Sequence, residues 1–302
     1  MTGAVLRPST SNCGETMKLS LSTNERSSLA RKDGLSASAH RVGPSTTFVD
    51  IHCHVLPGLD DGASTMDEAL AMAEMAVADG IGTIVATPHQ LGSHADNTAE
   101  AIRTAVARFQ QRLDERGVPL CVLPGADVRI DAELVQELRA GSVLTLADRG
   151  RHVLLELPHD VYVSLDHLLT ELHTAGLVGI LSHPERNRGL LNQPEIVRPL
   201  VQRGCLLQVT AGSLTGGFGT RVQRFAESLI QQGLVHFVST DAHGTSCRPP
   251  VIRTAFEQIA KLAGQTVAMD LCCRNPAAVV AGGGVPSGPR PPEKTAWSSW
   301  FH

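Results

Sequence analysis

The chain of 302 residues has 42% hydrophobic residues and 26 Lys and Arg against 30 Asp and Glu, a formal net charge of -4. That length and apolar share suit one large globular domain, and the lack of a basic excess argues against a nucleic-acid partner. No apolar run approaches the roughly 18–20 residues of a membrane span; the N-terminus lacks the apolar core of a signal peptide; and seven cysteines, at 13, 53, 121, 205, 247, 272 and 273, form no CxxC pair, so free thiols in a cytoplasmic setting are expected.

Residues 1–46 are rich in Ser, Thr and Arg and show no sustained periodicity. Such a segment buries too little apolar surface to offset its ordering entropy, so a disordered extension is expected, with Met17 a candidate start. From 47 to 281 short apolar runs alternate with helical patterns. Strands are expected at 48–51, 83–87, 120–123, 152–157, 177–181, 206–210 and 235–239. Helices are expected at 66–78, 95–116, 132–139, 165–174, 194–203, 221–232 and 250–263. Thr65 and Glu68 fit a capping box at the first helix. Residues 282–302 are Gly and Pro rich and close on "AWSSWFH", a tail expected to be unstructured or a short docking element.

Seven strand-then-helix units imply a parallel sheet. A doubly wound open sheet would concentrate its chemistry at one switch point, usually with a Gly-rich loop, and no GxGxxG or P-loop occurs. Here polar residues recur after strand upon strand, which suits a distorted, TIM-like (β/α)7 barrel with its site at the C-terminal strand ends. "DIHCHVLPGLDDG" supplies His52, His54 and Asp61, "VATPH" His89, and "LPGADVRI" Asp127. "LLELPH" supplies Glu156, "LSHPERN" His183 and Arg186, and "STDAHGTSCR" Asp241, His243 and Arg248.

On an extended segment alternate side chains share a face, so His52 and His54 can point at one spot while Cys53 faces away. Five imidazoles and four carboxylates exceed the needs of one ion and suit two or three. Without thiolate, that donor set favours Mn, Fe or Zn over an iron–sulfur cluster. Paired divalent ions serve hydrolytic displacement, and two guanidinium forks match a phosphate. Phosphoester hydrolysis follows. The remaining histidines, at 40, 94, 152, 159, 167, 173, 236 and 302, and Asp60, are read as structural or turn residues.

In order and spacing these segments resemble the polymerase and histidinol phosphatase (PHP) superfamily, specifically the bacterial manganese-dependent protein-tyrosine phosphatases of the CpsB type. The resemblance spans residues 48–281 and includes "RNPAAVVAGG". It implies a trinuclear centre: His52, His54, Asp127 and Asp241 on one ion, Asp127 bridging to a second held by Glu156 and His183, and Asp61, His89 and His243 on the third. It further implies direct attack by metal-bound hydroxide, with Arg186 and Arg248 on the phosphoryl oxygens. The implied substrate is phosphotyrosine on a bacterial tyrosine autokinase that couples phosphorylation to capsular or exopolysaccharide synthesis. The bridging carboxylate is usually glutamate in this family, whereas "GADV" provides the shorter Asp127. Two alternatives stand beside this reading: a small-molecule phosphomonoesterase of the histidinol-phosphatase kind, and a non-catalytic partner of the polysaccharide machinery.

Overall fold

The structure, a computed structural model, describes residues 47–290. The N-terminal extension, the end of the tail with both tryptophans, and Cys13, His40 and His302 lie outside the described residues. Among the described residues nine strands form: β1 Phe48–Cys53, β2 Ile81–Ala86, β3 His89–Gln90, β4 Cys121–Pro124, β5 Asp127–Arg129, β6 His152–Glu156, β7 Val178–Ser182, β8 Leu206–Thr210 and β9 Phe237–Ser239. The main helices are α1 Met66–Asp79, α2 Ala99–Arg116, α3 Leu134–Ala140, α4 Asp166–Thr174, α5 Arg188–Asn192, α6 Val197–Gln202, α7 Ala211–Leu214, α8 Thr220–Gln231 and α9 Arg253–Ala263. Further helical turns run from Gln265 to Val280. Among the described residues no helix is long and apolar enough to cross a membrane.

All strand pairs are parallel, as the alternation of strands and helices requires. They fall into two sheets, β1-β2-β4 and β3-β5-β6-β7-β8-β9. The break has a local cause. Pro88 separates β2 from β3, and Pro124 closes β4 just before β5; neither can donate to a ladder. Among the described residues the strands therefore number nine, the seven expected ones and the additional short β3 and β5, and no single closed ladder runs through them. Past the other edge of the smaller sheet, Cys53 bridges Ala242 in parallel. There Asp241 N–H donates to the His52 carbonyl at 2.8 Å and His54 N–H to the Ala242 carbonyl at 2.9 Å.

The strands read as continuous apolar runs because they are covered on both faces; β1 is buried along its whole length. One core cluster fills the space between strands and helices. A second takes inward residues from six strands, among them Ile51, Val85, Leu154, Ile180, Leu206 and Phe237. Helix ends follow their caps. Thr65 Oγ1 accepts the Glu68 N–H at 3.2 Å, but Glu68 reaches back to the Ser64 N–H at 2.9 Å, so the box is shifted by one residue. Thr98 accepts the Ala101 N–H at 3.2 Å, which starts α2 at Ala99, four residues later than the apolar pattern suggests. Beyond residue 281 the chain stays on the body: Arg290 N–H donates to the Gly233 carbonyl at 2.7 Å and its guanidinium pairs with Asp270 at 3.0 Å.

Candidate metal centre

β1 carries His52, with His54 one residue beyond its end, and their Nε2 atoms stand 3.2 Å apart. Cys53, pointing the other way, belongs to the hydrophobic core. The chain then folds back on itself, Ala63 N–H donating to the His54 carbonyl at 3.1 Å. A Cβ at Gly62 would stand 2.1 Å from that carbonyl oxygen, so only glycine permits the close return. The return places Asp61 Oδ1 at 3.2 Å from His243 Nε2 and 3.5 Å from His89 Nε2. Asp60 turns inward instead. Its Oδ2 sits 2.6 Å from His54 Nδ1 and accepts the His89 N–H at 3.1 Å, while Oδ1 accepts the Gly62 N–H at 2.9 Å.

His89 and Asp127 face each other across β3 and β5, and Asp127 also pairs with Leu154 of β6. The approach depends on Gly125, where a Cβ would meet Val85 Cγ1 at 2.6 Å. This short strand carries the carboxylate to the middle of the site: Asp127 Oδ2 is 3.5 Å from His52 Nε2, 3.7 Å from His89 Nδ1 and 4.0 Å from His183 Nε2. Asp127 is fully buried, yet neither carboxylate oxygen has a hydrogen-bond partner. Burial lifts its carboxyl well above the usual range. An orphaned, buried carboxylate ringed by imidazoles fits a bound cation, which would satisfy both oxygens at once. At the end of β6, Glu156 Oε2 lies 3.7 Å from His89 Nδ1 and 3.2 Å from an Arg129 guanidinium nitrogen.

His183 and Asp241 follow β7 and β9 with φ of 33° and 51°, left-handed conformations that non-glycine residues adopt against a steric penalty. The twist aims both inward. Asp241 Oδ1 is 3.3 Å from His52 Nε2, 3.5 Å from His54 Nε2 and 3.6 Å from His243 Nδ1. Two cations share the same carboxylate: Arg186 donates to Oδ2, and Arg248 approaches Oδ1 at 3.6 Å.

Burial pushes the His52 imidazole down to about 3, and lowers His54 and His183 as well, which keeps these rings neutral and able to ligate at pH 7. Burial also works against protonation of His89, but Asp61, Asp127, Glu156 and Asp60 outweigh it and raise the ring to about 9. Asp60 is opposed by burial too, and its hydrogen bond to His54 carries it down to about 2.

The structure brings all nine proposed ligands together. They form four overlapping groups: His54, Asp61, His89 and His243; His52, Asp127 and His183; His52, His54 and Asp241; and His89, Asp127 and Glu156. Within each, one ligand atom per residue lies within 4.8 Å of the others. This grouping differs from the one implied by resemblance: Glu156 and His183 each join Asp127 but fall in separate groups, and His54 joins the third set. The sequence reading missed the residues that aim the ligands. Gln208 Oε1 sits 2.8 Å from His52 Nδ1; Asp50 accepts the His52 and Thr240 N–H groups at 3.2 and 3.1 Å; Asp60 fixes His54. Gln208 inside the apolar strand "LLQVT" was the readable signal, since a fully buried amide needs a reason. His94, read as structural, stacks on His89 with ring centroids 5.2 Å apart.

An α/β scaffold of parallel strands that gathers imidazoles and carboxylates at the strand ends, beside two guanidinium groups, is that of a metal-dependent hydrolase. The chain belongs to the family described as "Capsular polysaccharide synthesis, CpsB/CapC", whose profile matches residues 48–281. It is 39% identical over 202 residues to the tyrosine-protein phosphatase YwqE of Bacillus subtilis, covering 67% of this chain and 79% of that one. It is 27% identical over 239 residues to the tyrosine-protein phosphatase CpsB of Streptococcus pneumoniae, covering 77% and 98%. Among solved structures, one reported with YwqE and CpsB as "unique metal-dependent tyrosine phosphatases" superposes with a TM-score of 0.76 at 34% identity, covering 82% of this chain and all of the other.

Proposed function

We propose that this protein is a metal-dependent protein-tyrosine phosphatase that regulates capsular or exopolysaccharide synthesis. Its substrate on this reading is a phosphotyrosine-bearing protein, a bacterial tyrosine autokinase, met in the cytoplasm. The observation that carries the reading is Asp127, whose two buried oxygens lack any donor while three imidazoles surround them. The nine ligand candidates would hold two or three manganese ions, iron or zinc being the other metals suited to these donors. When bound, such ions supply a nucleophilic water at neutral pH and neutralise charge on the phosphoryl oxygens.

The chain's own residues do the rest. Gln208 and Asp60 hold the His52 and His54 rings with Nδ1 engaged and Nε2 facing the centre. Arg186 and Arg248, both directed at Asp241, would turn their remaining N–H groups to the phosphoryl oxygens. A tyrosine phenol has a pKa of about 10, so it leaves with less protonic help than an alcohol. The split sheets read as a distorted seven-unit barrel: β2 with β3 and β4 with β5 act as single staves, and the Cys53–Ala242 bridge joins β1 to the segment after β9.

The experiment is hydrolysis of a phosphotyrosine peptide by metal-stripped protein, with and without manganese, alongside His54→Ala and with histidinol phosphate as a second substrate. Manganese-dependent turnover of the peptide that is lost in the variant is expected. Folded, manganese-loaded protein that leaves the peptide intact would overturn the proposal.

A further inference from the structure

Beside the two arginines lies a cavity of about 280 Å³ whose walls include Phe218, Thr240, Cys247, Arg248, Val251 and Thr254. It is tied to the phosphoryl end of the site at two points. Arg248 reaches to 3.6 Å from Asp241 Oδ1, and the Arg186 guanidinium carbon lies 4.4 Å from the centroid of the Phe218 ring. Phe218 can occupy that place because residue 212 is glycine; a Cβ there would stand 3.2 Å from Phe218 Cε2. Pockets for drug-sized ligands span roughly 300–1,000 Å³, so this volume suits a single substituted ring.

Phe218, Pro249 and Val251 make the wall apolar, whereas the other cleft at the centre, about 410 Å³, is lined by His89, His94, Arg129 and Glu156. Only the first would favour removing an aryl ring from water.

We propose that this cavity is the aryl subsite of the phosphatase. With its phosphoryl oxygens on Arg186 and Arg248, the substrate places its phenyl ring between Phe218 and Val251. An alkyl phosphomonoester of the same charge would engage the arginines and leave the cavity unfilled. Phe218 thereby acts twice, holding the guanidinium of Arg186 and meeting the substrate ring, and the cavity discriminates phosphotyrosine from phosphoserine. The inference rests on the phosphotyrosine reading above.

Thr254 lines the cavity from the exposed first turn of α9, so Thr254→Phe fills the space without entering the core. The manganese-loaded full chain and this variant are compared on phenyl phosphate and on glycerol phosphate. The aryl-to-alkyl ratio of kcat/KM should fall about tenfold in the variant, the worth of part of a phenyl ring's buried surface. A second readout uses Cys247, an exposed thiol in the cavity wall. Its alkylation by iodoacetamide, followed by mass spectrometry, should be slowed by phenylphosphonate more than by methylphosphonate at equal occupancy. An unchanged ratio together with equal protection by the two phosphonates would overturn the subsite. Wild-type turnover of a phosphotyrosine peptide, run in parallel, separates the two readings: with turnover present only the subsite falls, and with turnover absent both fall.

Discussion

Asp60 offers the sharpest perturbation of the centre, because one carboxylate ties together three groups. Its oxygens hold His54 Nδ1 at 2.6 Å, the His89 N–H at 3.1 Å and the Gly62 N–H at 2.9 Å, and its side chain is fully buried. Loss of a carboxylate that orients a metal-ligating histidine weakens metal binding by roughly 10–100-fold, or about 1.4–2.7 kcal/mol. The same figure follows from the contact itself, since a hydrogen bond to a charged group is worth about 1.5–3 kcal/mol. Asp60→Ala also strands two backbone donors at about 1–3 kcal/mol each, so it lowers stability as well as affinity. Asp60→Asn separates the effects. Its amide oxygen can still accept from His54 Nδ1 and the His89 N–H without charge, while its NH2 leaves the single Gly62 N–H unmet, so stability should fall less than in the alanine variant while the affinity falls. Calorimetric titration of manganese into metal-stripped protein reads affinity and stoichiometry, and thermal melting reads stability. An asparagine variant that binds manganese as tightly as the native chain would refute the argument that Asp60 aims His54.

Three further outcomes are expected. His89 rises to about 9 from its ordinary 6.5, so the metal-free protein carries an extra proton between those values. That proton contributes stability in full below 6.5 and loses it as pH rises through about 9. Ion binding must release it, so calorimetry in buffers of different ionisation enthalpy should show at least one proton released and an affinity that climbs with pH; affinity unchanged between pH 7 and 8.5 would contradict this. Burial drives the Cys53 thiol well above its usual range, and its side chain lies in the core. Cys53→Ser should therefore keep its manganese-dependent turnover at 25 °C with a lower melting temperature, and abolished turnover in a folded, metal-loaded variant would point to a covalent cysteinyl route. Asp127 already stands within 3.5–4.0 Å of three imidazole nitrogens. Asp127→Glu adds a methylene to a closed site and should weaken metal binding by about tenfold or more; tighter binding would mean that aspartate falls short of the ions.

Six of the nine proposed ligands stand out in the sequence because they combine two local signals, an apolar run and a coordinating side chain at or just past its end. His52, His54, His89, His183, Asp241 and His243 all carry that signature, and parallel topology then requires their convergence. The groups that aim them carry no such mark. Asp60 and Asp61 are neighbours of one residue type, and only the glycine-enforced return at Gly62 decides that the first turns to His54 and the second to His89 and His243. Gln208 lies 156 residues from the ring it holds. The sheet division escaped for a different reason. Apolar runs mark where strands lie, but the ladder fails at single missing donors, Pro88 and Pro124, on which hydrophobic periodicity is silent. The register nevertheless carries through the break, Ala86 opposing Pro124 and His89 opposing Asp127, so the two short strands bring His89 and Asp127 face to face. A register held through two prolines thus sets the Asp127 backbone beside His89, and a short aspartate side chain reaches the centre because its backbone is brought there.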